Sequence, residues 1–415
     1  MKKFLLSLLF IFICSAAHAD LVYTYKDSSG NWKAGSIAVT ATADATEPFD
    51  FEIYQDAAGI NFNNAPYIYI VKRSGKNYAI ITDTPSGASC DTAYIYNYDS
   101  YGDWTLSASF DMVGALNVNR VVISNNGNSL FASAWGTENE TALTGIFEYS
   151  ASTYLPTGQA FVFSNDIDDD CIVHAEDLLI NNNMIYALFS VKSADGTWLD
   201  SNLTILDGQL EWRRRYRNHV LSPQAVYLAL NKAKQPVVAC MGNDEESGDV
   251  SFVRNNRVYT LTSEDYDGNY FGSVVAVGRD HSSGVYFIAV SGDVETLYRC
   301  YENKEDTPSY KIMDITPASG TEVQKASREV VWDDVNKLVY VMGGDKIIVI
   351  DENNGLEANN YVIKTFSTSD LGGWPAAIAV TQKTSKKSSS SSNGCDALSL
   401  GLLAAASLVI FKIKK

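Results

Sequence analysis

The feature that most constrains this chain is an interval. A short apolar run built around an aromatic or β-branched residue returns at Tyr23, Tyr78, Phe131, Tyr186, Val238, Tyr286 and Tyr340, at spacings of 55, 53, 55, 52, 48 and 54 residues. Residues 329–351 display the unit most plainly. EVVW is followed by a polar turn, Asp333–Lys337, then by LVYVM, a Gly343-Gly344-Asp345 turn and KIIVI. Apolar and β-branched residues without helical spacing predict strands. Turns rich in Asn, Gly, Asp, Ser and Lys supply the tight reversals between them.

Two further apolar runs follow each pair, such as TAYIYNY and TLSASF after YAIIT, or TLYRCY and YKIMDI after VYFIAV, which makes four strands per unit. Propeller blades have this size, whereas a β-solenoid repeats at about 20–30 residues and a pair of sandwiches gives no reason for an even interval. The N-terminal unit has three candidate strands, LVYTY, SIAVTAT and FDFEIY, and AAIAV at 376–380 stands alone. Three plus one completes a seventh sheet and hides strand edges that would otherwise invite aggregation. The expected fold is all-β: a seven-bladed β-propeller of four-stranded blades over residues 20–382, closed by pairing the C-terminal strand with the N-terminal strands. Residues 21–382 resemble the loosely conserved propellers of the YVTN and NHL-like kind. The resemblance rests on period and strand pattern, and the Trp-Asp dipeptide of WD repeats does not recur.

The ends carry an address. Lys2 and Lys3, the apolar FLLSLLFIFIC and the small residues of Ala17-His18-Ala19 make residues 1–19 a signal peptide, with cleavage after Ala19. At the other end a Ser/Lys linker spans 383–393, Gly394-Cys395 follows, and the apolar stretch 397–411 precedes a basic KIKK end. Fifteen helical residues rise about 22 Å, short of a ~30 Å hydrocarbon core unless Lys412 snorkels, and the terminal lysines favour the cytoplasmic side. Together these pieces resemble bacterial C-terminal sorting signals of the Synergistes type. That resemblance implies a processing protease acting near Gly394 and Cys395 in the 394–415 tail, and delivery to the bacterial cell surface or outer envelope. The plainer alternative is a single-span membrane anchor.

Charge separates the ring from its ends. The whole chain carries −17, and setting aside the eight lysines and one aspartate of the two ends leaves residues 20–382 at −24. Such a body repels nucleic acid and anionic lipid and suits solubility or cationic partners. Cys90, Cys171, Cys240 and Cys300 are too far apart in sequence for a zinc knuckle. Cys240 and Cys300 read as buried free thiols inside strands, and Cys90 and Cys171 could pair only if the fold joins their turns.

The chemistry is thinner. No GxSxG, HExxH, P-loop or GxGxxG motif occurs, and His174, His219 and His281 have no metal-ligand spacing. Asp166, Asp168 and Asp170 alternate as calcium-binding oxygens do, with Asp177 at the twelfth position, but Cys171 stands where an EF-hand needs Gly. A solvated acidic turn is the competing reading. Trp198, Tyr266, Tyr270 and Trp374 lie in turns on one rim, where aromatic faces beside carboxylates and amides suit a glycan or peptide. Core packing is the competing role for each. The expectation is a surface-displayed, non-catalytic binding module for a protein or glycan. Two alternatives remain: a hydrolase or lyase using carboxylates such as Asp168, Asp170 or Glu176, or a surface scaffold. Two acids facing each other across the central funnel would favour the enzyme.

Overall fold

The computed structural model describes residues 19–381, apart from 43, 45–46, 87–89, 99–103, 113–114, 139–140, 164–170, 217–220, 243–247, 256, 263–271, 281–283, 302–308, 317–327 and 353–360. Within them, twenty-eight strands form seven antiparallel four-stranded sheets, each a blade. Six blades are consecutive meanders. The remaining one has the order β28-β1-β2-β3, so Gly373–Val380 (β28) is its innermost strand, followed outward by Leu21–Asp27 (β1), Trp32–Ala41 (β2) and Phe49–Tyr54 (β3).

The seam is continuous. Leu21 pairs with Val380, Val22 with Ala379 and Tyr23 with Ile378. Beyond the ladder, the Asp20 N–H donates to the Thr381 hydroxyl at 2.8 Å and the Thr381 N–H donates to the Asp20 carbonyl at 2.9 Å. Tyr23 is fully buried, and the Gly35 opposite it makes room: a Cβ there would lie 2.7 Å from the Tyr23 ring. The Tyr23 hydroxyl donates to the carbonyl of Leu371, the last residue of a single helical turn, Thr368–Leu371 (α1), that leads into β28.

Seven innermost strands surround the axis: β28, Tyr67–Arg73 (β4), Ala115–Ile123 (β8), Ile172–Asn181 (β12), Ala225–Leu230 (β16), Ser273–Arg279 (β20) and Glu329–Asp333 (β24). Apolar side chains fill the wedges between blades, as where Tyr23, Ile37, Tyr340, Val349 and Phe366 pack together. Each fully buried Leu, Ile, Val or Phe contributes roughly 1.5–3 kcal/mol. Gly278, on an innermost strand, sits against the next blade; a Cβ there would come within 2.4 Å of the Val330 carbonyl oxygen.

The repeat residues Tyr78, Phe131, Tyr186, Val238, Tyr286, Tyr340 and Tyr23 all lie on the second strand of a blade. The arginine-rich segment Trp212–Tyr216 is the outermost strand of its blade, and Arg213 pairs with Asp207. Cys90, Cys171, Cys240 and Cys300 are free thiols, the last two buried. Among the described residues no helix is long and apolar enough to cross a membrane. The leader and the tail containing Gly394 and Cys395 lie outside the described residues.

Candidate functional site

The site starts from a local irregularity. On five innermost strands the pairing with the second strand skips one residue at a similar level: Asn119 on β8, Glu176 on β12, Val226 on β16, Val275 on β20 and Ala376 on β28. A bulge leaves one residue unpaired and re-aims its side chain. Four of these five residues, all but Ala376, line a cavity of about 190 Å³ on the ring axis. The other lining residues are Tyr67, Ile68, Tyr69, Arg120, Asp177, Tyr227, Arg328 and Glu329, so six blades contribute side chains. The seventh contributes a backbone donor, the Ile378 N–H, which bonds the Glu329 carboxylate at 2.6 Å. At about 30 Å³ per water, the space holds about six water-sized groups.

The wall is cross-braced between blades. Asp177, almost fully buried, takes the Arg120 Nε at 2.9 Å and accepts the N–H groups of Leu178 and Leu228, each at 2.7 Å. Arg120 also lies over the Tyr227 ring, 5.5 Å from its centre. The Tyr69 hydroxyl donates to the Asn119 carbonyl, and the Asn119 amide donates to the Ala175 carbonyl. Tyr67 stacks on Tyr69 with ring centres 6.4 Å apart and is 38% exposed at the first residue of its strand. Arg328 grips Glu295 with two bonds, one of them from Nε at 3.0 Å.

The electrostatics follow from this wiring. Burial works against charge on Arg120, but Asp177, Tyr227 and Glu329 outweigh it and hold the guanidinium above its ordinary range. Burial pushes the Glu329 carboxyl up to about 7, even though Arg120 and the Ile378 N–H favour its ionised form. Burial likewise pushes Glu176 up to about 7, opposed by a bond from Ser190 and reinforced by neighbouring Asp177. Burial and nearby carboxylates raise Tyr67 and Tyr227, so both remain phenols. The funnel therefore holds two carboxyls, from blades three apart in the ring, that exchange protons near neutral pH. Such groups in a concave site mark a functional candidate on physical grounds.

The residues singled out from the sequence distribute unevenly. Trp198 begins its strand half-buried, with His174 5.5 Å away, Trp135 4.5 Å beyond His174 and the Lys192 ammonium 5.1 Å from the Trp198 ring centre. Trp374 lies in β28 opposite Lys26. Neither lines the funnel. Tyr266, Tyr270, Asp166, Asp168 and Asp170 fall outside the described residues. Asp177 is held by Arg120 and two backbone N–H groups. Among the described residues no group of three or more His, Cys, Asp or Glu side chains is arranged to hold a metal. Ala19 is buried at the seam, where the Asn336 amide donates to its carbonyl at 3.3 Å.

Comparison with known proteins bears on the fold. No protein-family model and no curated protein matches this chain. Solved structures do. A protein from Lactobacillus plantarum is 10% identical with a TM-score of 0.54, the match covering 88% of this chain and all of that one. A putative 6-phosphogluconolactonase from Bacteroides uniformis is 12% identical, also with a TM-score of 0.54, 88% of this chain and all of that one. At this identity the likeness establishes shared architecture, and the function is argued from the funnel.

Proposed function

We propose that this protein is an exported, cell-surface binding propeller whose central funnel receives a small polar group carried by a protein or glycan ligand. The observation that carries this reading is the 190 Å³ cavity to which five blades direct charged, phenolic or amide side chains and a sixth directs Val275. Four inner-strand bulges aim side chains there, a local disturbance of pairing that ring stability alone does not require. Export and surface retention rest on the leader ending at Ala19 and on the tail around Gly394 and Cys395. Kinship with YVTN and NHL-like propellers and a Synergistes-type sorting tail belong to the same reading. The test is a glycan and peptide array probed with the purified protein and with Glu176→Gln and Glu329→Gln. Ligands lost by both variants support the reading, and binding that both leave intact refutes the funnel as the site. Mass spectrometry of surface-released protein should show a C-terminus near Gly394; an intact KIKK end would refute processing.

One observation favours a second reading. Glu176 and Glu329 line the same cavity with carboxyls pushed up to about 7, as a general acid–base pair requires. A hydrolase or lyase of this kind would turn over a ligand identified on the array, and each glutamine variant would lose far more of its turnover than of its binding.

A further inference from the structure

We infer that the group admitted to the funnel is a primary ammonium, presented as an alkylamine on a lysine side chain or as the amine of an amino sugar. The inference rests on the binding reading above and names its ligand chemistry.

The first argument is an inventory of charge. The lining contains two guanidinium groups, and both have carboxylate partners: Arg120 holds Asp177, and Arg328 holds Glu295. Glu176 and Glu329 make no ion pair among the described residues, although Arg120 is close enough to act on Glu329 through space. An anionic ligand would thus approach two carboxyls with the arginines already engaged. An ammonium would supply three N–H donors to an acceptor-rich wall of carboxyl and phenol oxygens.

The second argument is shape. The remaining wall is aromatic and aliphatic, with Tyr67 and Tyr69 stacked on one side and Val226 and Val275 between the glutamate-bearing blades. Aromatic faces attract a cation with its first methylenes. The volume accepts an ammonium with a few carbons or displaced waters. The −24 charge of residues 20–382 adds a long-range attraction for cations.

A proton balance follows. The groups around the two glutamates are Arg120, Asp177, Tyr67, Tyr69, Tyr227 and Arg328, with Asp91 and Glu295 behind them and the Ile378 N–H on the closing strand. Burial pushes both carboxyls up to about 7. An entering ammonium favours their ionised forms, so binding releases protons and tightens as pH rises from 6 to 8.

The experiment is calorimetric titration of the purified protein with Nα-acetyl-lysine amide, glucosamine, N-acetylglucosamine and acetate. It is run at pH 6 and pH 8 and in two buffers of different ionisation heat. The expected result is binding of one or both amines; the lysine amide, whose ammonium stays charged throughout, should bind at least tenfold tighter at pH 8, with a buffer-dependent heat reporting proton release. Glu176→Gln and Glu329→Gln should each weaken it about tenfold while melting cooperatively, and the preferred amine identifies the source. Equal or tighter binding of N-acetylglucosamine would overturn the ammonium assignment and leave the binding reading standing. If none of the four binds and the array is also blank, both fail.

Discussion

Glu329 makes ring stability depend on pH in a direction opposite to that of most protein carboxylates. Its carboxyl is buried on the axis and pushed from an ordinary value of 4.5 up to about 7. The folded state therefore holds a proton that the unfolded chain releases above about pH 4.5. That contribution is complete below pH 4.5 and is lost as pH rises through 7. A displacement of about 2.5 units at 1.36 kcal/mol per unit sets an upper value of about 3 kcal/mol. For a ring of about 360 residues, with unfolding entropy near 2.1 cal/mol/K per residue, this corresponds to roughly 4 °C in Tm. The perturbation is Glu329→Gln, which cannot ionise and retains an oxygen for the Ile378 N–H. The net charge also weakens the ring as pH rises, so the informative quantity is the difference between the two proteins. Differential scanning calorimetry at pH 5, 6, 7 and 8 should show the wild type losing roughly 4 °C more than the variant. Parallel pH profiles would refute the buried, proton-holding Glu329.

Three other outcomes follow from the same wiring. Arg120→Met leaves Asp177 buried with only backbone donors and should cost about 3–5 kcal/mol in urea unfolding, with part recovered by adding Asp177→Asn; a loss under about 1 kcal/mol would show that the pair is not relied upon. Deleting residues 375–382 removes six of the eight residues of β28, exposes most of the β1 edge and should cause aggregation visible in light scattering, whereas an unchanged melting curve would contradict closure. Cys240 and Cys300, fully buried with thiols pushed up by burial, should resist a thiol reagent until unfolding, while half-buried Cys90 and Cys171 react first; early loss of Cys240 or Cys300 would show that those blades open.

The repeat was legible because its signal is carried by burial. Tyr23, Tyr286, Tyr340 and Phe131 are almost fully enclosed between blades, so the same wedge has to be filled about every 50 residues. The lone AAIAV run was readable for a related reason: an innermost strand is apolar, and an odd one out needs a partner. The register was not readable. Phe131, Tyr186 and Tyr286 pair with the third residue after the bulge in their blades, whereas Val238 and Tyr23 pair with the second. A one-residue slip reverses which face a side chain takes, and it leaves the interval nearly unchanged.

The funnel was illegible for a geometric reason. Tyr67, Asn119, Glu176, Tyr227 and Glu329 are spread over more than 260 positions and share no motif; only the ring collects them. The sequence does carry a faint signal. Arg120, the Glu176-Asp177 pair and Glu329 are charged residues at or beside the start of apolar inner-strand runs, where a purely structural strand would remain apolar. Of the acids considered from sequence, Glu176 and Asp177 reach the funnel, and the bulge at Ala175–Asp177 turns Glu176 inward. An aromatic residue in a polar turn reads alike in the sequence whether its ring binds a ligand or packs against a neighbour. Trp198 packs instead beside His174 and Lys192, away from the axis.

Everything placed on the axis depends on the two ends of the ring meeting in one sheet. Val22 and Ala379 are directly paired across the β1–β28 ladder, and paired residues on antiparallel strands lie about 4.5–5.5 Å apart at Cα, within disulfide reach. The direct measurement is peptide mapping of the oxidised Val22→Cys, Ala379→Cys double variant by mass spectrometry. A closed ring should give one linked peptide joining the two ends, with neither introduced thiol linked to a native cysteine of the ring. Two unlinked thiols, or cross-links scattered among the native cysteines, would contradict the closed ring and the funnel with it.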